Sequence, residues 1–240
     1  MSILSFLWYN VAMIVKSIFG KINSTLGRLS PARRIFLSFA LVILLGSLLL
    51  SLPFVQETSS QATYFDHLFT AVSMVCVTGL FTQSVASTYN IWGQLICMAL
   101  IQIGGLGLMT FIGVFYIQSK QKLSLRGRET ILESFSFEET QSLKDFLGSI
   151  FLTTFLVEGF GAFLLSFRFV PEFGLGRGIF TSIFVAVSAF CNAGFDNFGS
   201  TSLAAFQTDP LINLVIAGLI ITGGLGFMVW FDLATQLGKK

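Results

Sequence analysis

Long stretches of this chain carry no charged side chain, and that constrains its fold more than any other feature. Residues 35–56 lie between Arg34 and Glu57 without a charge, and a second charge-free stretch runs from His67 to Ser119. A bilayer core about 30 Å thick takes roughly 20 apolar helical residues to cross. The first stretch therefore predicts one span. The second is too long for one helix and is broken by Gly79, by the polar run from Thr82 to Asn90 and by Gly93. It divides into a short segment, 67–77, and a span over about 92–116. A third span is predicted over 146–167, interrupted by Glu158. Another short segment, about 178–190, leads into Cys191-Asn192-Ala193-Gly194-Phe195, and a fourth span fills 210–231.

Composition agrees. Hydrophobic residues make up 54% of the 240 and charged residues 11%, whereas a soluble domain is about a quarter charged. The outer surface is expected to face a lipid bilayer. A net charge of +2 gives no basic footprint for nucleic acid. Cys76, Cys97 and Cys191 are odd in number and sit in apolar runs, so they read as small buried side chains. His67 is the one histidine, so neither a clustered metal site nor a Ser-His-Asp triad is expected. The sequence contains no phosphate-binding loop of the G-x-x-x-x-G-K-[ST] form. Nothing here predicts an enzyme.

The short segments carry the most information. Eleven to thirteen helical residues reach about 16–20 Å, half a membrane. Such a helix must enter and turn back, and irregular backbone at that depth is tolerated only inside protein or beside water. Orientation follows from Lys and Arg. Lys16, Lys21, Arg28, Arg33 and Arg34 precede the first span; Lys120, Lys122, Arg126, Arg128 and Lys144 lie between the second and third; Lys239 and Lys240 follow the fourth. Both termini and loop 117–145 are thus expected in the cytoplasm, with both short helices opening from outside. Residues 1–15 read as an interfacial helix on the inner leaflet, with an uncleaved anchor as the alternative. Ser136-Phe137-Glu138-Glu139 reads as a capping box.

The chain also repeats itself. Residues 69–80 align with 184–195 at an offset of 115, matching Phe, Ala, Val, Ser, Cys and Gly in place. Gln102 to Met109 aligns with Ile221 to Met228 at an offset of 119, sharing Gly-Gly-Leu-Gly. The expected fold is all-α and membrane-embedded, with two parallel tandem units of span, re-entrant half-helix, glycine turn and span. The predicted boundaries are a cytoplasmic or interfacial segment, 1–34, a first unit, 35–116, a cytoplasmic linker, 117–145, and a second unit, 146–240. Units of one orientation around one axis make a ring with the glycine turns at its centre, the pattern of a pore.

A cation that leaves water must have its hydration oxygens replaced, and backbone carbonyls can do this. Aiming several carbonyls one way takes unusual backbone, hence glycine; Gly79 and Gly194 stand at those places. The half-helix in front points its negative C-terminal end at the same spot. Asp66 is placed as its N-cap. Asp196 is the one charge near either turn, which favours a monovalent ion.

Cys76-Val77-Thr78-Gly79-Leu80, Asn192-Ala193-Gly194-Phe195 and the Gly-Gly-Leu-Gly run after each resemble the Ktr/Trk/HKT superfamily of potassium transporters, above all the membrane subunit of Ktr systems. The resemblance covers about residue 29 to the end. It implies that carbonyls of Val77 and Thr78, and of Asn192 and Ala193, line a K+ site beside Gly79 and Gly194. It also implies inward K+ movement across a bacterial plasma membrane, Na+ coupling, a homodimer, and a cytoplasmic ring of nucleotide-binding regulatory subunits. A membrane potential of 100 mV supplies about 2.3 kcal/mol per charge, enough to concentrate the ion. The family carries four units per polypeptide and this chain has two. Either two chains share one axis, or the sequence is the first half of a longer protein, the favoured expectation. The rival functions are a non-conducting half-length subunit that modulates full-length relatives, and a pore for ammonium or water; the absence of proline from both loops counts against the Asn-Pro-Ala type of water channel.

The remaining expectations concern single residues. Gly104, Gly105, Gly107, Gly223, Gly224 and Gly226 are expected to let helices pack closely on the half-helices, with a hinge as the alternative. Glu158 is expected to be a satisfied structural carboxyl, His67 an exposed interfacial side chain, and the charges of loop 117–145 a solvated face or a partner's contact.

Overall fold

The computed structural model describes residues 31–107, 110, 143–226 and 229–230. The expected N-terminal interfacial helix, loop 117–145 up to residue 142 with its capping box, and the far ends of the second and fourth spans lie outside the described residues; the last three residues of the expected loop are already helical. The regular elements described are helices joined by loops, with one isolated β-bridge pairing Gln56 and Tyr89.

Helix α1 (Pro31–Leu50) starts at a proline, whose fixed φ suits a first turn, and ends short of the predicted end of the span. Pro53 forces the change, opening a 3-10 turn over Pro53–Val55. Helix α2 (Tyr64–Val75) follows. It starts earlier than predicted, so Thr63 is its N-cap and Asp66 stands three residues in. Asp66 accepts the Thr63 backbone N–H at 2.8 Å and the Thr63 hydroxyl at 2.7 Å. A single turn, α3 (Val85–Thr88), leads to α4 (Ile91–Leu106). Asn90 caps α4 by accepting the N–H groups of Trp92 and Gly93.

Helix α5 (Leu143–Phe173) has 31 residues and, of the described helices, is the one long and apolar enough to cross a membrane alone. Gly174, at φ +80°, then reverses the chain. Helix α6 (Leu175–Phe190) begins three residues before the predicted start and returns along α5. Gly178 makes that return close, because a Cβ there would sit 2.5 Å from Val170 Cα. Helix α7 (Pro210–Gly224) is capped by Asp209 and opens on proline.

The two short helices are the interior. Almost every residue of α6 from Thr181 to Phe190 is buried, and α2 buries Thr70, Ala71, Ser73, Met74 and Val75. The longer helices turn apolar stripes outward. On α1, Leu37, Leu41, Leu44 and Leu48 are exposed at helical spacing, as are Leu152, Phe155, Phe160, Phe163 and Phe167 on α5. A helix in water presents the opposite pattern.

Two single-residue expectations are corrected. His67 is not exposed: it is 2% accessible, and its Nδ1 is hydrogen-bonded to the Tyr89 hydroxyl at 2.9 Å. Tyr89 arrives from 22 positions along the chain, which local sequence does not announce. Cys76 is exposed, while Cys97 and Cys191 are buried.

Candidate functional site

Each short helix ends in a loop, and the two loops have the same backbone. Val77 and Asn192 stand at φ +56° and +57°, Gly79 and Gly194 at φ +73° and +70°. The left-handed region suits glycine and is tolerated by asparagine, but for a β-branched valine it is a true outlier. Hydrogen bonds repeat as well. Thr78 N donates to Ser73 O at 2.9 Å, and Ala193 N to Ser188 O at 2.8 Å. Leu80 N donates to the Ser73 hydroxyl at 3.0 Å, and Phe195 N to the Ser188 hydroxyl at 2.8 Å. In each loop, one upstream serine thus takes one loop N–H on its carbonyl and another on its side chain. The two serines lie in the aligned blocks, yet sequence alone assigns them no role.

The loops meet. A Cβ built on Gly79 would lie 3.0 Å from Ala193 O and 3.6 Å from Gly194 Cα. All six residues expected to line an ion path therefore fall in two adjoining turns. Thr78, Asn192 and Gly194 are exposed, Val77 and Gly79 half-buried, and Ala193 buried. The loops differ in one respect. The Thr78 hydroxyl bonds Ser73 Oγ at 2.7 Å, and Ala193 has no hydroxyl to do the same.

Helix ends supply the electrostatics. The C-termini of α2 and α6 turn their negative ends toward the loops. Asp196 is occupied by its own turn, accepting Phe198 N at 2.9 Å and the Ser202 hydroxyl. Farther out, hydrogen bonds from Thr63 and Thr82 hold the Asp66 carboxyl below the usual carboxylate range. The Arg168 guanidinium does the same for Asp209, at 2.5 Å.

Gly104, Gly105 and Gly223 hold the following helices against the half-helices, as expected. Gly107 and Gly226 lie past the helix ends, where an added Cβ would meet nothing within 4 Å among the described residues, and one at Gly224 would meet only Asn192 Nδ2 at 3.8 Å. A Cβ at Gly104 would lie 2.5 Å from Val75 O, and one at Gly223 would collide with Phe190 O. Gly105 is seated on Cys191 in the same way. Gly107 and Gly226, aligned in sequence, stand at φ +77° and +81° just beyond α4 and α7.

The TrkH family, described as cation transport proteins, matches residues 6–240. The chain belongs to the TrkH family. It is 44% identical over 206 residues to the potassium/sodium uptake protein NtpJ of Enterococcus hirae, covering 86% of this chain and 46% of that protein. It is 38% identical to Ktr system potassium uptake protein B of Bacillus subtilis over the same shares, and 30% identical to Ktr system potassium uptake protein D of that organism, over 92% and 49%. The chain thus spans about half the length of these relatives. TrkH is a transport family rather than an enzyme family, and this member is a multi-pass membrane protein whose regular elements, among the described residues, are helices.

Proposed function

We propose that the chain is the pore-forming part, or the N-terminal half of it, of a potassium uptake transporter. On this reading α1, α2 and α4 form one unit and α5, α6 and α7 the next, and α2 and α6 are re-entrant half-helices. Backbone carbonyls of Val77, Thr78, Asn192 and Ala193, beside Gly79 and Gly194, replace the hydration oxygens of K+. The observation that carries this is the duplicated strained loop. A valine and an asparagine at the same place share a φ that valine avoids, and such strain persists where surrounding structure imposes it for a purpose.

The seat of α4 supports a larger ring. Helix α4 rests on the second unit through Gly105 on Cys191 and Gln102 on Glu158. At the offset of 115, Cys191 and Glu158 correspond to Cys76 and Ile43. Those two residues line an apolar groove of about 770 Å³ along α1 that also includes Ile35 and Phe39. Helix α7 carries Gly224 and Ile221, the counterparts of Gly105 and Gln102, and Ile221 is exposed. A further pair of units, from a second copy or a longer chain, closes the ring through these surfaces. The termini and linker 117–145 lie in the cytoplasm of a bacterial cell, where a nucleotide-binding regulatory ring docks on the linker, and Na+ accompanies the transported K+.

Rubidium uptake tests the reading. Cells lacking their own potassium uptake, given this chain, are expected to accumulate rubidium against a sodium excess. No uptake with the protein present in the membrane would refute conduction by this chain, leaving the subunit that modulates full-length relatives.

A further inference from the structure

Glu158 lies midway along α5, 5% accessible, and its Oε1 accepts one hydrogen bond, from Gln102 Nε2 of α4 at 3.0 Å. The same Gln102 side chain extends the other way. Its Oε1 faces the Cys191 thiol, sulfur to oxygen 3.9 Å. Cys191 caps α6 and immediately precedes Asn192, the left-handed residue of the second loop. Gly105, one turn beyond Gln102, lies against the same cysteine with no room for a Cβ.

We propose that the Gln102–Glu158 bond is a positioning latch: it ties the first unit's α4 to α5 and holds the Cys191–Asn192 turn of the second loop in place. The inference rests on the two-unit reading above and adds a polar pair that no likeness between the loops requires. Gly105 sets how near α4 comes, but a glycine contact is without direction along or around the helix. A hydrogen bond has direction. With one end on a buried carboxyl, the amide is held in one rotamer, and its oxygen is presented to the thiol.

The pair also distinguishes one unit boundary from the other. The counterparts of Glu158 and Gln102 are Ile43 and Ile221, an apolar pair. If the boundaries exchanged partners, Glu158 would face Ile221 and Gln102 would face Ile43. Each exchange buries a polar group without a partner, which is strongly unfavourable in a dry interior. The latch therefore selects the order of units as well as the position of a loop, by penalising the wrong neighbour.

The test uses the full chain in membranes and two readouts. The first is the rate at which a small thiol reagent modifies Cys191, followed on its own peptide by mass spectrometry. The second is the split between KM and maximal rate of rubidium uptake. Gln102→Leu is expected to speed Cys191 modification by up to about tenfold, the effect of losing one ordinary side-chain hydrogen bond, and to raise KM more than it lowers the maximal rate. Glu158→Gln keeps an amide that Gln102 can bond, and is expected to stay close to the unaltered chain. The exchange Q102E/E158Q rebuilds the pair in reverse and is expected to recover what Gln102→Glu alone loses. Gln102→Asn, too short to reach, decides the matter if Gln102→Leu fails to accumulate. Unaltered Cys191 modification in the leucine or asparagine variant, or no recovery in the exchange, overturns the latch. A chain that carries no rubidium refutes the pore instead, and Cys191 modification still decides the latch.

Discussion

Alanine placed at Gly79 and at Gly194 separates two physical costs that the loops combine. Both positions are left-handed, at φ +73° and +70°, so each substitution forces an L side chain into a conformation about 1–2 kcal/mol above its preferred ones. At Gly194 little else changes, because the new Cβ meets Gly79 Cα at an ordinary 3.4 Å. At Gly79 it meets Ala193 O at 3.0 Å. That oxygen belongs to a fully buried residue, so the second loop must shift by a few tenths of an ångström. Crowding of this kind adds about 1–3 kcal/mol. Gly194→Ala is therefore expected to reduce occupancy of the native loop by about 5–30-fold relative to its alternatives, and Gly79→Ala by more. The assay is rubidium uptake with sodium competition, normalised to protein in the membrane. Gly218→Ala, where nothing lies within 4 Å, is the control. Selectivity is expected to fall in the order Gly218→Ala, Gly194→Ala, Gly79→Ala, with the last worst. A Gly194 variant as impaired as the Gly79 variant, or a Gly79 variant with unaltered selectivity, would refute the reasoning.

Three further outcomes follow from the same geometry. Ser73→Ala and Ser188→Ala each remove the side-chain acceptor of a loop N–H; a drop in thermal midpoint in detergent equivalent to about 1–3 kcal/mol is expected for each orphaned donor. Gly223→Ala sets a methyl group on Phe190 O and is expected to lower the midpoint by a similar amount through overpacking, whereas Gly218→Ala leaves it in place. Asp66 and Asp209 have carboxyls held below their ordinary value. Their stabilisation is present above the unfolded value and is lost as pH falls through the lower folded one, so the acid limb lies below about pH 4. Asp66→Asn and Asp209→Asn are each expected to flatten that limb in a pH series of thermal midpoints; an unaltered slope would count against the Thr63 bonds to Asp66 and the Arg168 pair of Asp209, respectively.

How much of this is legible in the sequence depends on the range of the interaction. The loop glycines, the aligned serines and the glycines that let α4 and α7 approach are local matters. They recur at fixed offsets because the same backbone needs the same freedom twice. Helix starts are less legible. Thr63 and Gly174 each begin a short helix before its apolar run becomes obvious, because a cap or a reversal precedes the pattern it initiates. His67 misleads for a different reason. Beside Asp66, near a helix start, it has every local mark of an exposed residue, and it is buried by Tyr89 from beyond the next turn.

Cys76 is the more instructive error, because the same expectation holds for its counterpart. Cys76 and Cys191 occupy the same place after the same helix, and each closes that helix with a backbone bond to the valine four residues before it, at 2.8 and 2.9 Å. One is exposed and the other buried. The difference lies outside both aligned blocks: α4 covers Cys191, while the groove beside Cys76 has no helix in it among the described residues. Sequence repetition specifies what a unit is like and is silent on what stands next to it. The two cysteines thus act as controls for one another. On the proposed ring, a second pair of units would bury Cys76 as α4 buries Cys191, and the difference in exposure would vanish. A thiol reagent applied to the assembled protein in membranes is then expected to modify Cys76 as slowly as Cys191. Rapid, selective modification of Cys76 in an assembly that transports rubidium would show that nothing occupies the groove, and would rule out closure through that face.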